Sequence, residues 1–357
     1  MLHRHLVNEP EIDLVVMDVE PKRRSIRMLA RKMVACLARG SFGRYAQDIM
    51  SLWKGGWIDH ELPAPCKTDS VSVVMTVAQG DAYYAAARYA KRYDLPLVSI
   101  FHDWWPDIAR LHKPFRSIIQ DSFMQLYQDS ALALSVSAGM KKALGPHPNS
   151  KVLYPIPAAI DDMKVESKES DQKPFRLLYS GNITVYGAML MNALELLKND
   201  KGIRLEVRGA SANWPADTRK EMTERGLLLP YAEREEFNSW LESADAFLIT
   251  QSFDGNDARL MQTNFPSKLV EFAQFGKPLV VWGPAEASAA VWAEESGQAL
   301  VVDQEDPKCL REALEKLSND KAEQDRLASG AKVAAAGPFK PERIQSDFLR
   351  WRRKMAI

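Results

Sequence analysis

Cysteine is scarce in this chain. Cys36, Cys66 and Cys309 are the three cysteines among 357 residues, and they lie far apart in the sequence. An odd, scattered set of this kind shows neither a disulfide framework nor the spacing of a zinc site. The cysteine content therefore favours a reducing, cytoplasmic location.

An excess of charge of one sign is also missing. The 47 Lys and Arg residues balance 47 Asp and Glu residues, whereas binding to nucleic-acid phosphates needs a cationic excess. No apolar run approaches the roughly 18 residues that a membrane-spanning helix requires. The first ten residues, MLHRHLVNEP, lack the apolar core of a secretory signal. These absences argue against a general nucleic-acid binder and favour a globular cytoplasmic protein.

What the chain does contain is two series of short apolar, β-branched runs separated by helical patterns. Such runs begin at Ile12, Ser70, Leu95, Ser130 and Lys151 and again at Phe175, Ile203, Gly226, Ala244, Lys277 and Gln298. Continuous apolar strands that alternate with helices predict parallel sheets buried on both faces. We therefore expect an α/β protein of two Rossmann-like, doubly wound domains facing across a cleft. Ligands of such sheets bind outside the carboxyl ends of the strands.

Changes in composition suggest where these domains begin and end. We expect a first domain over residues 1–160, a polar linker over 161–174 and a second domain over 175–336. Residues 337–357 are predicted to form a C-terminal helix that returns to the first domain.

The segment FPSKLVEFAQFGKP has features of an anion site. Pro266 and Ser267 suit a helix start, and Gly276 suits its end, which predicts a helix of about nine residues capped by Ser267. Its N-terminus and Lys268 would attract a phosphate, and Glu271, one turn further on, would accept hydrogen bonds from a ribose. Alternatively, Ser267 is only a cap and the two charges form a solvated face. The pattern alone leaves both interpretations open.

FPSKLVEFAQFGKPLVV resembles the donor-binding segment of GT-B glycosyltransferases of glycosyltransferase family 4. Four further segments, VSIFHDWWPDI, SALALSVSAGMKKAL, LLYSGNITVYG and LPYAEREEFNSWLESADAFLIT, resemble other parts of that family in the expected order. The resemblance implies a retaining hexosyltransferase that moves a sugar from a nucleotide-sugar donor to a glycan or lipid-linked acceptor. The first domain would then face the acceptor and the second would bind the donor. The reaction that the resemblance implies requires neither a metal nor a cofactor.

The resemblance also implies a donor site in the second domain. Glu271 matches the family acid that binds the ribose, and Ser267 and Lys268 match positions near the diphosphate. Three positions depart from the family pattern, because Asn264 replaces an acid, Asn182 replaces an arginine and Tyr186 replaces the lysine of a Lys-Gly pair. The expected donor-binding residues are Gly181, Asn182, Arg208, Tyr231, Asn264, Ser267, Lys268 and Glu271.

Arg208 and Tyr231 have less specific assignments within that set. Arg208, at the end of the run IRLEVRG, would supply a missing cation or would be a surface charge at a strand end. Tyr231 lies near the position where the family binds the nucleotide base.

The segment FHDWWPD follows a predicted strand and would place His102 and Asp103 at its carboxyl end. The resemblance implies catalytic roles, with His102 contacting the donor sugar or its leaving phosphate and Asp103 orienting His102 or contacting the acceptor. A buried histidine is also often a satisfied core group. Trp104 and Trp105 would either stack on a sugar ring or fill the core.

Residues 22–40 carry seven cations and no acid. Apolar residues recur there at helical spacing, which suits a helix lying on an anionic membrane surface or a core-facing helix with a solvated basic face. The first interpretation predicts a cytoplasmic protein at the inner face of the membrane.

The opening of the chain departs from the family, which begins with a strand and a Gly-rich loop near the acceptor. Either the true start lies upstream or the first strand is missing. This departure favours an alternative function, a GT-B-like protein that binds a nucleotide or glycan without transfer. A nucleotide-sugar epimerase of the same fold is a further alternative.

Overall fold

The computed structural model describes residues 64–65, 72–80, 82–109, 111, 113–157, 174–209 and 213–353. The predicted strand at Ile12, the basic segment 22–40 and most of the linker lie outside the described residues. The chain divides into two units, of which the second runs Tyr154–Gln345 and the first comprises the remainder on either side.

The first unit contains a four-stranded sheet in which every paired strand is parallel. Its strands follow one another in chain order. The strands are β1 (Val74–Val77), β2 (Leu97–Phe101), β3 (Leu132–Ser135) and β4 (Ser150–Val152), and the helices are α1 (Ala82–Tyr93), α2 (Trp105–Ile108), α3 (Lys113–Asp129) and α4 (Ala138–Leu144).

Aromatic packing fixes α3 against the centre of this sheet. Every residue of β2 and β3 is buried, as expected for parallel strands covered on both faces. The ring of Phe101 meets those of Phe123 and Tyr127 edge-on, with centroids 5.0 and 5.5 Å apart. The carboxyl end of β2, where His102 begins the next loop, is therefore held by a rigid core.

The second unit contains a six-stranded parallel sheet in the order β10-β9-β8-β5-β6-β7. Its strands are β5 (Phe175–Gly181), β6 (Ile203–Gly209), β7 (Leu228–Leu229), β8 (Ala246–Thr250), β9 (Leu279–Trp282) and β10 (Leu300–Val302). This is the order of a doubly wound nucleotide-binding sheet. The predicted α/β class with parallel sheets is confirmed for both units, and the doubly wound strand order is seen in the second.

Helices follow most of these strands. They are α5 (Gly187–Leu197), α6 (Ala216–Glu224), α7 (Arg234–Glu242), α8 (Ala258–Thr263), α9 (Ser267–Ala273), α10 (Ser288–Ser296), α11 (Pro307–Asn319) and α12 (Lys321–Ala336). The last helix, α13 (Pro341–Arg353), begins in the second unit and has most of its residues in the first. Local sequence explains several boundaries. Asp306 caps α11 by accepting a hydrogen bond from the Lys308 amide, with Pro307 at the first helical position.

Candidate functional site

The chain reverses direction across the second sheet between β5 and β8. These strands are neighbours, yet the chain leaves β5 towards β6 and β7 and leaves β8 towards β9 and β10. The carboxyl ends on either side of such a switch point form the crevice in which doubly wound sheets bind ligands. Of the predicted donor residues, Gly181 ends β5, Asn182 follows it directly, and Asn264 lies in the segment between β8 and β9, directly after α8.

Backbone packing is unusually close where β5 and β6 end. Gly181 pairs with Gly209 in register, and a Cβ atom on Gly209 would lie 2.2 Å from the Gly181 carbonyl oxygen. No side chain fits there, so the glycines allow this approach. The exposed Asn182 then accepts hydrogen bonds from the amides of Thr184 and Val185 at 2.9 and 3.2 Å. Its side-chain oxygen thus stabilises the turn that leads into α5.

Arg208 lies one residue before the end of β6 and is 5% exposed. The interpretation of this residue as a surface charge is therefore wrong. Its two terminal nitrogens donate to one carboxylate oxygen of Glu236, at 2.9 and 3.0 Å. Its guanidinium carbon lies 5.0 Å from the ring centre of Trp240, a cation–π distance. Both partners come from α7, which covers this end of the strand.

A buried carboxylate two residues earlier on β6 holds the same tryptophan. Glu206 accepts hydrogen bonds from the guanidinium groups of Arg176 and Arg204 and from the Trp240 indole nitrogen, the last at 2.8 Å. Burial raises the pKa of Glu206, but these three donors outweigh burial and hold that pKa below its ordinary value. Trp240 therefore contacts two charged groups: its indole nitrogen donates to the ionised Glu206, and its ring lies against the guanidinium of Arg208.

Helix α9 begins one residue earlier than the sequence predicts. Ser267 is its first residue rather than its cap, because Pro266, in an extended conformation, takes the cap position without a side-chain hydrogen bond. The helix spans seven residues rather than about nine. Gly276 ends the turn that follows with a φ of 60°, as its left-handed conformation requires.

The apolar face of α9 packs on the sheet and directs the charged residues away from it. Phe272 stacks on Phe247 of β8 with ring centres 4.5 Å apart. Lys268 and Glu271 instead form an ion pair, with the ammonium nitrogen 2.8 Å from the carboxylate. Their side chains are 32% and 18% exposed. The structure therefore brings together the predicted phosphate contact and the predicted ribose contact.

A buried glutamine holds the loop that precedes α9. The side-chain amide of Gln251 donates to the Met261 carbonyl and to the Asn264 side chain, both at 3.1 Å, and its oxygen accepts from the Ala289 amide at 2.9 Å. Ser288 adds a hydrogen bond to the Asn264 carbonyl. Asn264 is thus part of a neutral network that fixes the entry to α9.

Helix α7 connects the two cations of the predicted donor site. The Lys268 ammonium lies 5.3 Å from the ring centre of Phe237. That ring lies 5.8 Å from Trp240, and Trp240 in turn lies against Arg208. Lys268 and Arg208 therefore border one aromatic pair, although they come from a helix and a strand far apart in sequence.

Tyr231 follows β7 and is 86% exposed. A single exposed aromatic side chain is common at protein surfaces and does not by itself indicate a ligand. Its role as a base contact stays a prediction.

His102 and Asp103 lie in the first unit, directly after β2. Burial lowers the pKa of His102, and the nearby Asp103 carboxylate opposes this only in part. The imidazole is consequently neutral near pH 7. A neutral ring can both donate and accept a hydrogen bond.

The two tryptophans of this loop differ. Trp104 is 4% exposed, packs on Phe123 with ring centres 5.3 Å apart and donates to the Gln120 side chain at 3.0 Å. It is a core residue rather than a sugar platform. Trp105 is half-buried at the start of α2 and packs against the same core.

Within the described residues, no cluster of three His, Cys, Asp or Glu side chains could hold a metal ion. None of the described helices is long and apolar enough to cross a membrane.

Sequence reasoning missed three residues that organise this site, namely Glu236, Trp240 and Gln251. A signal for Gln251 was present, since a polar residue directly after a buried strand lies at the ligand-binding edge of a parallel sheet. The alternation of Arg204, Glu206 and Arg208 at strand spacing also indicated a charged face that needs a partner.

No protein-family model matches the chain, and no curated protein matches it in sequence. Solved structures do. HepE from Anabaena, in complex with UDP and glucose, matches with a TM-score of 0.58 at 14% identity over 93% of this chain and 83% of HepE. A glycosyltransferase from Rickettsia africae matches with a TM-score of 0.57 at 11% identity over 96% and 84% of the two chains.

TarM, from S. aureus, matches with a TM-score of 0.52 at 9% identity over 78% of this chain, which spans 54% of the TarM chain. Identities this low show a shared fold. HepE and TarM are GT-B glycosyltransferases, so the described residues have the GT-B fold that the sequence predicts. Membership of family 4 stays a prediction.

Proposed function

We propose that this protein is a glycosyltransferase that moves a hexose from a nucleotide-sugar donor to a glycan or lipid-linked acceptor, with retention of configuration. The observation that carries the proposal is the Lys268–Glu271 pair, 2.8 Å apart on the helix that follows β8 at the switch point of the second sheet. The structure of HepE with UDP-glucose gives a chemical precedent on the same fold.

The donor would be recognised by groups with distinct tasks. Lys268 and Arg208 would neutralise the diphosphate, and Glu271 would accept hydrogen bonds from the ribose hydroxyls. Gly181 would let the phosphates approach the backbone, while Tyr231 would stack on the base. Asn182, Asn264 and Ser267 would shape the loops around these contacts.

Transfer requires stabilisation of the negative charge that develops on the departing diphosphate. Cations held in fixed positions do this well, because they need no reorganisation during the reaction. Lys268 and Arg208 are held by the rings of Phe237 and Trp240. The proposal therefore assigns charge neutralisation to the chain itself and requires no metal.

His102 and Asp103 complete the proposal on the acceptor side. A neutral His102 would hydrogen-bond the donor sugar or its leaving phosphate, and Asp103 would orient the imidazole or contact the acceptor. Residues 22–40 would contact the anionic membrane surface on which lipid-linked acceptors lie.

One observation favours a second candidate, a protein that binds a nucleotide sugar without transferring it. Asn264 occupies the position of a family acid and is engaged by Gln251 and Ser288. A neutral network at this position supplies no carboxylate for catalysis. Donor turnover separates the two candidates, because both bind the donor but only the enzyme releases the nucleotide.

Calorimetric titration with UDP, GDP and ADP tests the donor site. We expect at least one nucleotide to bind the wild type, and Glu271→Ala to weaken that binding about tenfold by removing the ribose acceptor. Glu294→Ala, an exposed acid on α10, is the matched control and should bind as the wild type does. Failure of all three nucleotides to bind at millimolar concentration would contradict the proposal.

A further inference from the structure

The ion pair at the end of β6 is asymmetric. The Arg208 side chain is 7% exposed, whereas that of its partner, Glu236, is 65% exposed. The cation is therefore built into the sheet, and the acid lies on the solvent side of it. An exposed carboxylate on a helix surface can rotate into water with little loss, whereas a buried guanidinium needs an anion wherever it stays.

Arg208 is fixed by contacts that do not involve Glu236. Its backbone is paired in register with β5 and β7. Its guanidinium lies over the ring of Trp240, which the buried Glu206 holds by a hydrogen bond of 2.8 Å. Removing the carboxylate of Glu236 would thus leave the cation in place.

The ion pair with Glu236 also leaves part of the hydrogen-bonding capacity of Arg208 unsatisfied. Both terminal nitrogens donate to the single oxygen Oε1 of Glu236, unlike a bidentate pair in which two oxygens accept in parallel. The Nε atom of Arg208 is buried and has no hydrogen-bond partner among the described residues. An anion with several oxygens, such as a diphosphate, would satisfy this guanidinium better than one carboxylate oxygen does.

We propose that Glu236 is a displaceable counter-ion that occupies Arg208 until the diphosphate of a nucleotide sugar replaces it, an inference that rests on the proposed function of the same site. Glu236 would neutralise a buried cation in the ligand-free protein. It would also make the site selective, since a weak anion cannot compete with a tethered carboxylate whereas a diphosphate can. Glu236 is therefore a positioning and specificity residue rather than a catalytic one.

Removal of the carboxylate should tighten the binding of anions. We expect Glu236→Gln to lower the Kd for the nucleoside diphosphate about fivefold, the upper range for an exposed ion pair. Inorganic phosphate should gain at least as much, because it competes least well with the tethered acid. The matched control is Glu235→Gln, which removes the same charge from a neighbouring exposed position of α7 and should change each Kd less than twofold.

A double substitution shows whether the effect runs through Arg208. In an Arg208→Gln background, Glu236→Gln should have no effect on binding, whereas a general change in surface charge would act equally in both backgrounds. Thermal melting confirms that each variant is folded. If Arg208→Gln does not fold, the comparison of Glu236→Gln with Glu235→Gln decides alone.

Calorimetry with UDP, GDP, ADP, inorganic pyrophosphate and phosphate gives the decisive outcomes. Tighter binding to Glu236→Gln, but not to Glu235→Gln, supports the counter-ion. Equal binding of a nucleoside diphosphate to all three proteins overturns this inference and leaves the proposed function intact. If pyrophosphate alone binds, and binds Glu236→Gln more tightly, the counter-ion stands and the proposed function fails. If no anion binds any of the proteins, both are overturned.

Discussion

The two units satisfy the polar groups near their strand ends in different ways. In the first unit two of these contacts are neutral hydrogen bonds, of the Ser130 hydroxyl to Ser99 at 2.8 Å and of the Trp104 indole to the side chain of Gln120. The ion pair that joins α2 to α3, Arg116–Asp107, is longer, at 4.0 Å. The ring of His102 at the end of β2 is neutral near pH 7, because burial lowers its pKa.

The second unit uses ions instead. Glu206 and Arg208 point from alternate positions of β6 towards the same tryptophan, and each is matched by a charge of opposite sign. The buried ionic network around Trp240 thus lies in the unit where an anionic donor is proposed. The electrostatic part of donor binding should therefore depend on the second unit.

The largest expected effect comes from removing the carboxylate at the centre of the ionic network. Glu206→Ala would leave Arg176 and Arg204 without their shared acceptor, and we expect the free energy of unfolding to fall by about 3 kcal/mol. Urea unfolding of the full chain measures this. Glu224→Ala, an exposed acid on α6, should leave the unfolding curve nearly unchanged, and a similar loss in both variants would show that the network is not special.

A matched pair of tryptophan substitutions compares the two units directly. Trp240 and Trp104 are 7% and 4% exposed, and each donates its indole hydrogen, to an ionised carboxylate and to an amide respectively. Because hydrogen bonds to charged groups are stronger, we expect Trp240→Phe to cost about 1 kcal/mol more than Trp104→Phe. Equal losses in urea unfolding would remove the distinction between a charged and a neutral strand end.

The smallest effect concerns the protonation of His102. NMR titration should give a pKa below the ordinary histidine value, since burial disfavours the imidazolium. A lowered pKa in the folded state means that His102 contributes stability above the ordinary value of about 6.5, and that this contribution is lost as the pH falls towards the folded pKa. His102→Gln should flatten that part of the stability profile. A raised pKa would instead place a cation at the end of β2.

Much of the fold was predictable because it follows from local patterns. Continuous apolar runs located β8 and β9, whose residues are all buried, and Gly276 marked the end of the α9 turn. The prediction that Ser267 caps α9 was wrong. The cap is the last residue with non-helical backbone angles, and that residue is Pro266. Sequence patterns carry little information on such one-residue shifts.

The arrangement of the candidate site was less predictable. The burial of Arg208 arises because β6 is paired on both sides and α7 brings Trp240 and Glu236 over its end. These are long-range contacts, which no local period in the sequence encodes. The ion pair of Lys268 and Glu271 was closer to prediction, since residues three apart face each other on a helix.

The central claim is that a nucleotide sugar binds at the carboxyl edge of the second sheet. A crystal structure of the full chain with UDP tests it most directly. We expect the diphosphate within hydrogen-bond distance of Lys268 and Arg208, the ribose hydroxyls on Glu271, and Glu236 turned away from Arg208. UDP bound elsewhere, with the Arg208–Glu236 and Lys268–Glu271 pairs unchanged, would contradict this claim.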